Sequence, residues 1–256
     1  MTCLVSAAHA EETSFCAGRT ALGEPACTAP AGRVIVESSL GSWSRSNDVA
    51  GNVSDSLNIG EIVLRTGVNR AIEVHLGFSG WKSSWAGQGS VLRQSRGLRQ
   101  SRTGDVELGL TRSLAGGAVP VALTSYVAIP TGHGSGGVQA WTAGGGLAVS
   151  GELPGGIEFK LEPELAWTPN AERSGRHLAW EALAGVTFPV GRDFSVETDL
   201  TFAHDADPDG HAHDARGIMS LTWAPNEDLQ LAVQLEAGLT ADAPRHVLSL
   251  GIARAF

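Results

Sequence analysis

The chain has 256 residues, 27 acidic against 18 basic side chains (a net charge of −9), 33 glycines and two lysines, Lys82 and Lys160. At this length one domain is the default, and the acidic balance argues against a nucleic-acid binder, whose partner demands a basic face. No apolar run approaches the roughly 18 residues of a membrane helix; a membrane-spanning strand needs only about 9–11 residues with alternate ones apolar, so a β-barrel stays open.

Residues 1–10 end in Ala8-His9-Ala10, the small-x-small form of a signal-peptide cleavage site before Glu11. The basic n-region is missing and the apolar stretch is short, so the segment reads as a truncated signal peptide; a ragged mature end is the alternative. Residues 11–32 follow as a Gly/Pro/Ala-rich periplasmic segment with Cys16 and Cys27. In an oxidising compartment the two are expected to close a small disulfide loop, the alternative being two free thiols. The residues before Cys16 do not resemble a lipobox, which argues against a lipid anchor.

From residue 33 to 256 the chain breaks into about twelve segments that alternate apolar with polar. Weaker strands fall near 33–45, 55–66, 140–152 and 215–224. Stronger ones run through Ile72–Phe78, Val106–Leu110, Val119–Ile129, Leu178–Phe188, Phe194–Phe202 and Leu229–Leu239. Residues 157–168 show the pattern best: Ile157, Phe159, Leu161, Pro163, Leu165 and Trp167 hold one phase, and Glu158, Lys160, Glu162, Glu164 and Ala166 the other. A helix would spread those charges all round, whereas a strand separates them onto one face. A Lys or Arg facing lipid at mid-depth costs about 2–4 kcal/mol, and an Asp or Glu less, so the charged face must be the lumen.

The connections alternate as regularly as the strands. Short ones with turn chemistry fall near 67–70, 115–118, 153–156, 190–193 and 225–228; longer ones fall near 46–54, 84–104, 131–139, 169–176, 204–215 and 240–245. Short periplasmic turns and longer outer loops mark an outer-membrane barrel. Six of the seven tryptophans lie toward the long-loop ends and Trp223 toward a short turn, which suits aromatic girdles at the two interfaces.

Several pieces together resemble one family of bacterial outer-membrane transporters, labelled "MetA-pathway of phenol degradation". They are Gly104-Asp105-Val-Glu-Leu-Gly-Leu110, Tyr126-Val-Ala-Ile-Pro-Thr-Gly132, Leu153-Pro-Gly-Gly156 with its Glu-rich strand, Trp223-Ala-Pro-Asn-Glu-Asp-Leu-Gln-Leu231, and the terminal Phe256. The resemblance implies a Gram-negative outer-membrane, porin-like barrel related to transporters of hydrophobic or aromatic compounds, with no catalytic residues to carry over. Phe256 behind alternating Leu248, Leu250 and Ile252 also resembles the C-terminal signal read by the barrel-assembly machinery. Arg254 departs from that pattern, since such barrels commonly carry an aromatic two positions before the terminal Phe.

The expected fold is therefore an all-β, antiparallel up-and-down transmembrane barrel of about twelve strands. Its lumen-lining candidates are Glu73, His75, Glu107, Glu158, Lys160, Glu162, Glu164, Glu181, Glu197, Asp199, Gln234 and Glu236. An acidic lumen of this kind concentrates cations and repels anions; the alternative is that these groups pair with one another and fill the barrel. Arg93, Arg96, Arg99 and Arg102 recur every three residues in the second long loop. They suit lipopolysaccharide phosphates, a plug folded inward, or a solvated loop. Asp205, Asp207 and Asp209 with Gly210 open like a calcium loop that lacks its closing Glu, and His204, His211 and His213 offer transition-metal ligands nearby; a metal-free acidic loop is the alternative. His133 and Ser135 suggest a hydrolase only weakly, because no orienting acid accompanies them. The sequence reads as no enzyme and calls for no cofactor. It reads as a passive channel for small molecules, with a closed structural or surface-interaction barrel, and behind that an outer-membrane hydrolase, as alternatives.

Overall fold

The computed structural model describes residues 25–47, 52–87, 99–134, 140–172 and 174–256. Fifteen strands follow in order: β1 (Val34–Asn47), β2 (Val53–Ile59), β3 (Glu61–Asn69), β4 (Ile72–Phe78), β5 (Trp81–Gly87), β6 (Arg99–Thr103), β7 (Val106–Ala115), β8 (Val121–Ile129), β9 (Thr142–Leu153), β10 (Ile157–Pro169), β11 (Arg176–Val190), β12 (Phe194–Asp205), β13 (Ala212–Asn226), β14 (Leu229–Gly238) and β15 (His246–Ala255). All strand pairings are antiparallel, and β15 pairs back onto β1 to close the ring. Twelve strands form the staves: β1, β3, β4 and β7 to β15. β2, β5 and β6 continue β3, β4 and β7 toward the loop end. At the short-turn end the backbone of Phe256 exchanges hydrogen bonds with that of Val34, sealing the closure.

Burial is inverted relative to a water-soluble protein. The fully or nearly buried side chains include Glu37, Arg65, Glu73, Thr111, Asp199 and Ser220, while Leu76, Leu161, Leu200, Leu235 and Leu250 are exposed. Polar groups predominate on the inner side of the staves and apolar ones on the outer, with Ile35, Leu183 and Ile218 among the inward exceptions, and the exterior suits hydrocarbon. Turns of two to five residues join the staves at one end, and the longer connections gather at the other.

Four staves carry a feature that alternation alone does not predict. The registers place Leu40 of β1 opposite Gly60, Gly60 opposite Gly80, and Gly80 opposite Gly104. Gly60 and Gly80 have φ of 71° and 69°, and a Cβ on Gly104 would lie 2.6 Å from Ser79. Across this row the inward phase switches: Ser39 and Glu61 line the lumen below it, Ser42 and Asn58 above it. Ser42 accordingly hydrogen-bonds Ser249 of β15 at 2.9 Å. The switch puts Trp43, Leu57, Trp81 and Trp85 on the outer face, where unbroken alternation would have driven them into the lumen.

The second long connection, expected over 84–104 with all four spaced arginines in it, is built differently. The structure draws Trp81–Gly87 and Arg99–Thr103 into a strand pair, so Arg99 and Arg102 lie on β6. The backbone groups of this stretch pair across the hairpin rather than with water, which is why turn-poor polar sequence still forms strand. Arg93 and Arg96 lie outside the described residues, as do Cys16 and the expected signal peptide.

Candidate functional site

The lumen is layered. Toward the short-turn end, Arg65 on β3 reaches both neighbouring staves. Its Nη1 donates to Glu37 Oε1 on β1 at 2.8 Å, and its Nε and Nη2 donate to the two oxygens of Glu73 on β4 at 2.7 and 2.9 Å. Three buried charges sit together, and such a cluster is tolerated only when its hydrogen bonds are satisfied. The main chain of segment 25–33 supplies a further one, Ala29 N donating to Glu73 Oε2 at 2.6 Å. The segment is thereby held inside the ring. Ala29 packs with Ile35 and Ala255, and three residues earlier Ala26 packs with Ala122 of β8 and Ala148 of β9, several staves away. Gly67 lets the chain pass this close, since a Cβ there would lie 2.9 Å from the carbonyl group of Pro30. Residues 26–31 therefore cross the short-turn mouth. Cys27, within that crossing, is disulfide-bonded.

A second paired cluster lies on β10 to β12. Lys160 Nζ is 2.5 Å from Glu197 Oε1 and 3.4 Å from Asp199 Oδ1. Gly185 on the intervening strand makes room, because any Cβ there would overlap the Asp199 carboxylate.

Above these clusters opens a cavity of about 480 Å³. Glu107, Glu162, Glu164, Glu181 and Glu236 line it together with Glu37 and Glu61, and among the described residues no Lys or Arg shares the lining; His75 is the nearest to a counter-charge. Glu164 and Glu181 stand directly opposite each other on β10 and β11, a like-charge pairing that a sheet ordinarily avoids. Tyr126, the chain's one tyrosine, crosses β9 to donate to Glu164 Oε1 at 2.6 Å. Gly144 permits that crossing: a Cβ there would sit 2.6 Å from the tyrosine hydroxyl. Near the loop end Arg216 binds Asp214 through two nitrogens, at 2.7 and 2.6 Å, and Glu236 at 3.1 Å. Packed carboxylates within low-dielectric walls attract cations and repel anions.

At the rim His177 ties two outer loops together. Its Nε2 lies 2.6 Å from Asp205 Oδ1 and 2.7 Å from Thr168 Oγ1, and its Nδ1 lies 3.0 Å from Asn170 Oδ1. Asp207 accepts backbone N–H bonds from Asp209 at 2.9 Å and from Ala171 at 2.7 Å. Those bonds hold its carboxyl below the usual carboxylate range.

The twelve lumen candidates divide. His75, Glu107, Glu162, Glu164, Glu181, Gln234 and Glu236 line the cavity. Glu73, Lys160, Glu197 and Asp199 belong to the paired clusters beneath it, and Glu158 is exposed near the short-turn end of β10. The metal candidates are not drawn to one point. Asp205 and Asp207 engage His177 and the backbone; His211 and His213 stack on His204 with centroids 5.9 and 4.5 Å apart; and His213 N donates to Asp242. Among the described residues no three His, Cys, Asp or Glu side chains converge on a metal position. His133 is exposed and bonds Thr103 through its backbone; Ser135 lies outside the described residues. Arg65, Tyr126, His177 and the Ala26–Ala29 crossing were not foreseen. The signal for Arg65 was present, since it shares a phase with Val63 and meets Glu37 and Glu73 once the register is known.

No protein-family model and no curated protein matches the sequence. Solved structures do match. An outer membrane channel from Pseudomonas putida F1 aligns with a TM-score of 0.68 at 16% identity, over 92% of this chain and 100% of the other. The NanC porin aligns at 0.55 and 9% identity, over 86% and 98%. The β domain of the Bordetella autotransporter BrkA aligns at 0.53 and 13% identity, over 88% and 100%. The chain thus has the fold of outer-membrane β-barrels, one that serves channels, porins and autotransporters alike.

Proposed function

We propose that this chain is a passive channel of the bacterial outer membrane, with its long loops outside and its short turns in the periplasm. Small molecules enter from the loop end, cross the acidic vestibule and leave without an energy source. The vestibule carries this reading: a 480 Å³ cavity lined by seven glutamates inside a closed barrel. Side chains that merely filled the barrel would leave no such space. The fold shared with a channel and a porin supports the same reading. The resemblance to the phenol-degradation transporter family points to small apolar or aromatic cargo, and it is the basis for naming that class.

Three further expectations fit this placement. Cys16 is the partner we assign to Cys27, so that the disulfide stiffens the segment across the periplasmic mouth. Phe256, 64% exposed at the closing seam, is available to the barrel-assembly machinery. Lys82 and Arg102, opposite one another on β5 and β6 and on the same lumen-facing side as Asn58, put positive charge at the loop-end mouth of the lumen.

One observation favours a second reading, a closed barrel that acts through its surface: residues 26–31 cross the mouth. Swelling of proteoliposomes in isotonic solutions of small neutral solutes separates the two. A channel gives swelling rates that fall with solute size; a closed barrel gives the rate of empty liposomes.

A further inference from the structure

The wall of the vestibule is weakened where β9 meets β10. β9 and β10 pair at Leu161↔Val149 and again at Glu164↔Gly146, but not at Glu162/Ala148 or Pro163/Leu147 between them. The register is unchanged across the gap, so no residue is inserted. The cause is Pro163, which has no N–H to donate toward Leu147. Proline is ordinarily confined to sheet edges. Here it is the seventh of the thirteen residues of β10, the middle of a stave with a neighbour on each side.

The cavity reaches this seam. Leu147 and Pro163 belong to its lining although both side chains are exposed on the outer surface. The inward neighbours, Gly146 and Ala148, are too small to cover the backbone from within. On the inner side Leu183 and Ala148 form an apolar strip around Glu162, and the Tyr126–Glu164 bond crosses just above. Below, the paired clusters and residues 26–31 narrow the axial route.

We propose that the β9–β10 seam at Pro163 is a lateral exit through which small apolar solutes pass from the vestibule into the hydrocarbon of the membrane. This rests on the channel reading given above and adds a route to it. Ions and polar solutes take the axial path, because hydrocarbon rejects them. Apolar solutes gain by leaving water, and at the seam they meet two staves whose ladder lacks two consecutive pairs.

The test uses the full chain expressed in a porin-deficient Gram-negative host. N-phenyl-1-naphthylamine, which fluoresces on reaching lipid, reports apolar uptake, and planar-bilayer conductance of the same proteins reports the axial path. Pro163→Ala restores the N–H. The oxidised double variant Leu147→Cys/Pro163→Cys, read against each single variant, locks the seam covalently. The expected result is probe uptake at least threefold slower in both, with conductance within twofold of the parent. Unchanged probe uptake in both overturns the exit and leaves the channel standing. A parent that conducts ions but does not speed probe uptake overturns the exit alone, and a parent with neither overturns exit and channel together.

Discussion

The carboxylates of the vestibule and those of the floor come from the same alternating staves, yet they sit in opposite circumstances. Glu37, Glu73, Glu197 and Asp199 surround Arg65 and Lys160 in two compact clusters. Glu162, Glu164 and Glu181, two to four residues further toward the loops than Lys160 and Asp199, line open space, and among the described residues that cavity wall includes no Lys or Arg. Alternation decides which residues face inward. The placement of two cations, each held by a neighbouring gap or crossing chain, decides which of those residues close the barrel and which leave it open.

The strongest way to break this comparison is to remove what the floor holds. A chain lacking residues 11–31 is expected to show a single-channel conductance several-fold larger, because nothing then crosses the mouth. Next in size is Arg65→Ala, which strands Glu37 and Glu73 as buried, uncompensated charges. Breaking a buried pair this way costs roughly 3–5 kcal/mol, readable from urea titration of refolded barrel in vesicles. Within the vestibule, Gly144→Ala forces a methyl against the Tyr126 hydroxyl and breaks its bond to Glu164. A hydrogen bond to a charged group contributes about 1.5–3 kcal/mol; in the same urea titration Tyr126→Phe should cost that amount, and Gly144→Ala more, because its methyl also crowds the tyrosine ring and the Leu165 carbonyl. The smallest effect lies at the rim. The backbone bonds that depress the Asp207 carboxyl pKa in the folded state stabilise its loop above the ordinary Asp value of about 3.9, and that stability is lost as pH falls through the lower folded value. Asp207→Asn should remove this acid-range dependence from hydrogen exchange of residues 206–211, and an unchanged profile would count against the latch.

The sequence made the ring legible because its strongest signals are local. The alternation of 157–168 and the switching of short with long connections fix strand count, facing and closure without any knowledge of partners. What escaped notice depends on register. Gly60, Gly80 and Gly104 are separated by 20 and 24 residues in the chain and form a row only after the staves pair. Arg65 sat in one of the weaker strands, and its two carboxylates lie 28 and 8 residues away. The Ala26–Ala29 crossing reads as linker in a Gly/Pro/Ala-rich stretch, because alanine carries no signal of what it packs against. Pro163 was visible as part of an apolar face, but its missing N–H gains meaning only from the strand it fails to bond.

The most direct measurement is the zero-current potential of the reconstituted barrel in a planar bilayer under a potassium chloride gradient, for the parent and for Glu162→Gln/Glu164→Gln/Glu181→Gln. An acidic conducting vestibule predicts discrete steps, a cation-selective potential in the parent and a shift toward zero in the triple variant. A folded barrel without steps, or with a potential the three substitutions leave unchanged, would contradict it.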